Sequence, residues 1–320
     1  MYSLGIDIGG TKCAVTLGRD YVPENPQDLI IAKKKFPTDV KRGYKEIIAE
    51  LLKTADELLA ENGVKHDDLV GVGISCGGPL DSKKGIIMCP PNLPDWNNVP
   101  ITDIFSKHFG VKAILQNDAN ACAVAELKFG SGKGLDNVIF LTFGTGMGAG
   151  LILNGKLYSG TNDLAGEVGH IRLSEDGPVG YGKRGSFEGY CSGGGIVELA
   201  KIIIDNSKKN GIDTVLSEQS DDISAKSISI AAKNGDAVAQ EIYRISAQRL
   251  GQALSLLIDL LNPEAIIIGS IYTRDQALFD DIIKDVISKE ALPAAANACR
   301  ILPGALCEFV GDVAALSLLF

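Results

Sequence analysis

Asp118 sits in the run Gln116-Asn117-Asp118-Ala119-Asn120, where an apolar strand ends and a helical pattern begins. A carboxylate there can accept the proton of an alcohol that attacks a phosphoryl group. The carboxyl end of a strand is also where α/β folds bind ligands. The same two residues suit a second role, since Asn and Asp are common helix N-caps. Asp7-Ile8-Gly9-Gly10-Thr11-Lys12 places an acid at a strand end beside two Gly and a Thr. The N–H groups of such a turn can approach phosphate oxygens. Asp7 could hold Mg²⁺ through water, because Mg²⁺ keeps much of its hydration shell. A plain hairpin turn would use the same residues for geometry alone.

Gly144-Thr145-Gly146-Met147-Gly148 is a second turn of this kind. It is neither a G-x-x-x-x-G-K-[ST] loop nor a dinucleotide fingerprint, and it feeds a strand instead of a helix. Two such turns could clamp one triphosphate. Ala165-Gly166-Glu167-Val168-Gly169-His170 follows, and Glu167 and His170 could hold sugar hydroxyls. His170 would serve equally as a metal ligand or a buried polar residue. Glu188 adds a carboxylate in another Gly-rich stretch. Gly73-Ile74-Ser75-Cys76-Gly77 matches G-x-S-x-G, the nucleophile elbow of hydrolases. That elbow needs a helix directly after the Ser, and Gly78-Pro79-Leu80-Asp81 is a loop sequence. A Gly-rich loop near the substrate is the expected reading.

These residues need elements to hold them. LGIDI and CAVTL flank the first Gly turn, VIFLTF and AGLIL the second. Each reads as a hairpin, and the pair suggests an internal duplication. Between them, apolar residues of Tyr44 to Glu61 recur at three- and four-residue spacing, a helical stripe. Strands are expected at Leu69 to Ser75, Val111 to Leu115 and Glu264 to Gly269. Helices are expected at Ala119 to Phe129, Gly195 to Asp205 and Ala237 to Leu261, the last stopped by Asn262-Pro263. Ser217 to Ser227 reads as a polar surface loop. Alternating strands and helices argue an α/β fold, and the hairpins make its sheets mixed.

The chain has 320 residues, a net charge of -9 and seven Cys without a C-x-x-C pair. Two domains, no nucleic-acid surface and reduced thiols in a cytoplasmic protein are expected. The N-terminus lacks the features of a signal peptide. No uninterrupted apolar run is long enough to span a bilayer.

In order and spacing, GIDIGGTK near the start, PNLPDW at 91 to 96, QNDANACAVAE at 116 to 126, FGTGMGAGLILNG at 143 to 155 and LAGEVGH at 164 to 170 resemble the ROK family. This family of repressors, open reading frames and kinases lies within the actin-like, hexokinase-like ATPase superfamily, and the resemblance runs over nearly the whole chain. It implies two actin/hexokinase-like (RNase H-like) α/β lobes with the active site in the cleft between them. Residues 1–116 with about 305–320 would form the N-terminal lobe, and residues 117–304 the C-terminal lobe. It implies a glucokinase-like kinase that transfers the γ-phosphate of ATP, with Mg²⁺, to a hexose or N-acetylhexosamine. Asp118 would be the base. Gly78, Asn92, Asn117, Glu167, His170 and Glu188 would surround the sugar. Gly9, Gly10, Thr11 and Lys12 would hold phosphates from one lobe, Thr145 and Gly146 from the other. Asp7 would organise Mg²⁺ and the Gly269 region would meet adenosine. A homodimer is expected on the same ground.

The sequence departs from the family at one motif. The usual C-x-C-G-x-x-G-C zinc loop aligns with Val179-Gly180-Tyr181-Gly182-Lys183-Arg184-Gly185-Ser186, so Val179, Tyr181 and Ser186 replace the three Cys. A tetrahedral zinc needs four ligands and only His170 remains, so no structural zinc is expected. The rival reading is a non-catalytic sugar-sensing protein. Against it stand Asp118 and the first hairpin, which begins at residue 4 and leaves no room for a DNA-binding module before it.

Overall fold

The computed structural model describes residues 1–21, 23–219 and 223–320. The chain divides into two units. Unit 1 comprises Met1–Leu135, Gly150–Ala165 and Ala305–Phe320; unit 2 comprises Asp136–Ala149 and Gly166–Gly304.

In unit 1, β1 (Tyr2–Ile8) and β2 (Lys12–Arg19) form the first hairpin, and β3 (Ile30–Pro37) continues it antiparallel. β4 (Leu69–Cys76) lies parallel to β1. A small hairpin, β5 (Leu80–Asp81) and β6 (Ile86–Ile87), follows. β7 (Ala113–Asn117) then lies parallel to β4, and the sheet order is β3-β2-β1-β4-β7. The strand expected at Val111 to Leu115 sits two residues further on. Gly110 adopts the left-handed cap of the preceding helix, and pairing with β4 carries β7 on until Asn117 lies opposite Cys76.

Side chains alternate across each strand. Leu4, Ile6 and Ile8 face a core shared with Val72 and Ile74 of β4 and with Ile47, Leu51 and Phe105 of two helices, α1 (Tyr44–Glu61) and α2 (Ile101–Phe109). The opposite face carries Gly5, Gly18 and Gly73, where α11 (Val310–Ser317) comes down close. A Cβ on Gly73 would stand 1.8 Å from the carbonyl oxygen of Ala315, and one on Gly18 2.7 Å from Leu316. The helix seats only where those side chains are missing. α3 (Asp118–Phe129) follows β7 and packs beside α11. This arrangement accounts for the G-x-S-x-G match. Gly73 is a packing glycine, Ser75 is buried inside β4, and the chain leaves β4 into a turn and a hairpin with no helix.

In unit 2, β8 (Val138–Phe143) leads through the second Gly turn into β9 (Met147–Leu153), which crosses into unit 1. There its far end pairs with β10 (Lys156–Leu157). The short hairpin β11 (Val179–Gly180) and β12 (Lys183–Arg184) precedes α4 (Phe187–Tyr190) and α5 (Gly193–Lys209). α6 (Ala225–Lys233) and α7 (Ala237–Leu261) follow. α7 starts at an Asp236 cap and ends at Asn262 in the left-handed conformation, just before Pro263. β13 (Ala265–Ile268) lies parallel to β8. After α8 (Ile271–Asp275), α9 (Asp280–Glu290) and α10 (Pro293–Ala298), β14 (Arg300–Pro303) lies parallel to β13. The order β10-β9-β8-β13-β14 repeats the plan of the first sheet, a hairpin followed by two parallel strands.

The polar loop expected at Ser217 to Ser227 is helical at both of its ends. Residues 215–219 make a 3₁₀ turn and α6 begins at Ala225, while 220–222 lie outside the described residues. Ser224 starts the helix through a reciprocal cap: its Oγ accepts from the Ser227 N–H and its own N–H donates to Ser227 Oγ. Among the described residues no helix is long and apolar enough to cross a membrane.

Candidate functional site

The residues singled out by chemistry fall into two groups, one in each unit.

In unit 1 the turn between β1 and β2 is closed by the Gly9 N–H donating to Lys12 O at 3.1 Å. Thr38, fully buried, braces it: its N–H donates to Thr11 O at 3.0 Å and its hydroxyl to Gly9 O at 2.5 Å. A Cβ on Gly10 would stand 2.5 Å from Asn92 O, so Gly at 10 is what admits the 91–96 loop. Trp96 anchors that loop. It is fully buried, stacks at a tilt on Tyr44 and accepts the Cys89 N–H at its carbonyl, 2.8 Å away. Thr11, Lys12 and Asn92 are exposed.

Asn117 is the N-cap of α3. Its Oδ1 accepts from the N–H groups of Ala119 at 2.9 Å and Asn120 at 3.4 Å. With Oδ1 so engaged, Nδ2 points to Gly78, within 3.5 Å of where a Cβ there would stand. Capping α3 and facing Gly78 therefore fall to different atoms of one side chain. Asp118 is the first residue of α3, and its Oδ1 accepts the Ala119 N–H at 2.8 Å. One face of Asp118 is open to solvent, but protein crowds the rest. The lost hydration pushes its carboxyl above the usual carboxylate range despite that hydrogen bond.

Asp7 projects from the glycine face of β1. Burial first, then the charges of Asp118 and Asp312, push it up to about 7, while Lys33 and Lys12 act in the opposite direction. Asp312, at the start of α11, pairs with Lys33. Asp118 and Asp312 both repel a charge on Asp7, and a divalent cation would relieve that repulsion. Hard oxygen donors of this kind suit Mg²⁺.

In unit 2 the second Gly turn meets the start of α5. The Gly193 N–H donates to Gly144 O at 2.7 Å and the Gly194 N–H to Thr145 O at 3.4 Å. Ser192 caps the helix by accepting the Gly195 N–H at 2.9 Å. Thr145 is exposed and Gly146 half-buried. Beside them opens a groove of about 890 Å³, whose lining includes Gly193, Gly194, Lys226, Lys233, Ser270 and Arg274. Gly269 is itself buried against Phe140, and its neighbours Ser270 and Ile271 reach the groove. Asp275, nearly fully buried, supports the wall by accepting from Lys233 Nζ, Ser229 Oγ and Tyr243 OH, each at 2.6 Å. Burial opposes its charge, but these donors hold its carboxyl below the usual range.

Gly166 (φ 92°) and Gly169 let the 165–170 segment lie on β9, where a Cβ would meet Ala149 O at 2.1 Å and Met147 O at 2.3 Å. That seating brings Gly169, which lies between Glu167 and His170 in the chain, against Glu188, whose Cβ lies 3.3 Å from the Cβ position of Gly169. Glu188 Oε2 accepts the Met147 N–H at 3.1 Å. The His170 ring packs edge-on against Tyr181 at 4.8 Å, and its carbonyl accepts Lys183 Nζ at 2.7 Å. Tyr181 and Ser186 thus stand in two of the zinc-motif positions with contacts of their own. Ser186 Oγ donates to Gly180 O at 3.2 Å and accepts the Gly189 N–H at 3.1 Å, tying the β11–β12 hairpin to α4.

Thr38, Asp312, Lys226, Lys233, Arg274 and Asp275 were not among the residues expected from sequence. The run Ser192-Gly193-Gly194-Gly195 carried the one available signal. Three glycines opening a helix cost conformational entropy, which is tolerated where backbone must come close to something.

The ROK family model matches residues 3–319, and the chain belongs to the ROK family. It is 31% identical over 319 residues to the glucokinase of Thermotoga maritima, covering 99% of this chain and 96% of that one. The ROK family glucokinase of Streptomyces griseus, solved in complex with glucose and AMPPNP, superposes with a TM-score of 0.76 at 31% identity, covering 99% of both chains. The DNA-binding transcriptional repressor Mlc of Escherichia coli is 28% identical over 250 residues, 78% of this chain and 60% of its own. The fold is the actin/hexokinase-like α/β fold of this family's sugar kinases.

Proposed function

We propose that this protein is an ATP-dependent sugar kinase, with glucose as the first substrate to test. The observation that carries the reading is the placement of Asp118. It is fixed at the first position of α3 by the Asn117 cap and has one open face and a weakened hydration shell. A base so placed takes the proton of the sugar hydroxyl as it attacks phosphorus. Asn117 Nδ2, Gly78 and Asn92 in unit 1, and Glu167, His170 and Glu188 in unit 2, are the proposed sugar contacts. Gly9, Gly10, Thr11 and Lys12, with Thr145 and Gly146, are the proposed phosphate contacts.

The groove beside Thr145 suits a nucleotide. Its volume lies within the range of small-molecule sites, and Lys226 and Arg274 bring positive charge to a chain of net charge -9, while the charge of Lys233 is balanced by Asp275. Asp7 and Asp312 would hold Mg²⁺, which when bound neutralises charge on the transferring phosphate. Similarity to glucokinases over almost the whole chain supports the same reading.

A coupled ADP-release assay tests it over glucose, N-acetylglucosamine, N-acetylmannosamine, mannose, fructose and allose. Mg²⁺-dependent turnover with one sugar, lost in Asp118→Asn, is expected. The relationship to Mlc and the altered zinc loop favour a second reading, a sugar-sensing protein without turnover. Calorimetric sugar binding with no ADP release from any sugar would select it.

A further inference from the structure

Two of the chain's three His converge on one carboxylate in unit 1, on elements that hold neither Asp7 nor Asp118. Asp56 lies on α1, His66 on the one-turn 3₁₀ helix His66–Asp68 after it, and His108 near the end of α2. His66 Nε2 is 3.0 Å from Asp56 Oδ1, and His108 Nε2 is 2.9 Å from Asp56 Oδ2. The donor atoms all lie within 4.8 Å of one another. Both rings are aimed by packing. Each sets its edge against buried Phe109, with centroids 4.9 Å away for His66 and 4.6 Å for His108. The turn carrying His66 is fixed in its own right: the Lys65 N–H donates to Asp68 Oδ2 at 2.9 Å and the Asp68 N–H to Lys65 O at 3.0 Å.

Tetrahedral bonds of about 2.0–2.1 Å place neighbouring ligand atoms roughly 3.3 Å apart. The two N···O separations need to open by only a few tenths of an ångström, and the two imidazoles to close on each other. Two imidazoles and one carboxylate select borderline ions such as Zn²⁺, Ni²⁺ or Co²⁺ over Mg²⁺ or Ca²⁺. The side chains are 42% exposed at Asp56 and His66 and 32% at His108, so an ion has a path in and a face left for water. We propose that Asp56, His66 and His108 form a binding site for one divalent transition-metal ion, which clips the C-terminal part of α1 to α2. A clip present only in the folded chain stabilises it by mass action.

The test is calorimetry and thermal melting of the chelator-treated, nucleotide-free full chain with Ni²⁺ as the probe. Wild type is expected to bind Ni²⁺ and melt at a higher temperature with it. His66→Gln, His108→Gln and Asp56→Asn are each expected to lose about tenfold or more in affinity, since weakening a supporting hydrogen bond alone costs that much. Circular dichroism in chelator checks that each variant folds. Should one not fold, the nitrogen hyperfine pattern of Cu²⁺ bound to wild type decides instead. Imidazole nitrogens support the site, and oxygen-only ligation overturns it. Equal Ni²⁺ affinity in wild type and variants, no binding by wild type, or loss only in Asp7→Asn overturns the proposal.

Discussion

The Glu188 carboxylate fills the space that a side chain at position 146 would take. Its Oε2 lies 2.9 Å from where a Cβ on Gly146 would stand and accepts the Met147 N–H at 3.1 Å. One carboxylate therefore joins the second Gly turn to the proposed sugar pocket. Gly146→Ala meets only the tip of a flexible side chain, so the fold is expected to tolerate it while Glu188 is displaced. Gly146→Ala and Glu188→Ala should each lower kcat/KM by about tenfold or more, and the double variant should lose little beyond either one. Steady-state kinetics of the cycle checks this, and fully additive losses would separate the two residues.

Gly73 meets backbone where Gly146 meets a side chain. A methyl group there lies 1.8 Å from Ala315 O, and α11 can relieve the clash only by moving off the sheet. Gly73→Ala is expected to cost about 1–3 kcal/mol, the range of overpacked cores, read from the denaturation midpoint. An unchanged midpoint would mean that α11 is free to shift.

Asn117 and Asp118 are adjacent but predict different phenotypes. Asp118→Asn removes the proposed base and leaves the cap, so kcat should fall by about 10²–10⁴-fold with sugar affinity nearly kept. Asn117→Ala removes the cap and the Nδ2 donor together. It should cost about 1 kcal/mol of stability and weaken sugar binding. Kinetics, calorimetry and melting curves on the pair distinguish the two.

The raised carboxyls set the pH dependence. As the proposed base, Asp118 must be ionised to act, so kcat/KM should rise with pH through its elevated pKa and level off above it. Asp7 is held at about 7 against an ordinary 3.8, so the folded state binds its proton more tightly than the unfolded chain does. Stability is therefore lost as pH rises from about 3.8 to 7, and the full penalty persists above that window. Asp7→Asn should raise the melting temperature at pH 8 by roughly 2 °C or more, change it little near pH 4, and abolish Mg²⁺-dependent turnover. An equal shift at both pH values would show that charge is not the cause.

Much of the architecture was legible residue by residue. The three-to-four spacing over Tyr44–Glu61 returned a helix with those bounds, and Asn262-Pro263 stopped α7 where expected. The apolar–Gly–apolar pattern returned both hairpins, and the helix expected at Ala119 to Phe129 ends at Phe129, capped by Gly130. Less legible was the polar stretch ahead of Lys233. Ser-rich composition reads as loop, but the Ser224–Ser227 cap makes it helical, and α6 lines the groove that we assign to the nucleotide.

By itself the sequence determined the family, the two Gly turns and the acid at the start of α3. Each of these rests on neighbours in the chain: backbone conformation, side-chain period and capping are local. What the tertiary structure decided depends on residues far apart in sequence. Asp312 lies about three hundred positions from Asp7, yet its charge helps to raise that carboxyl. Gly73 is a packing glycine only because Ala315 arrives above it, and Thr38 a brace only because β3 returns beside the first turn. Through-space repulsion and steric exclusion act at a few ångströms, and no spacing along the chain encodes them.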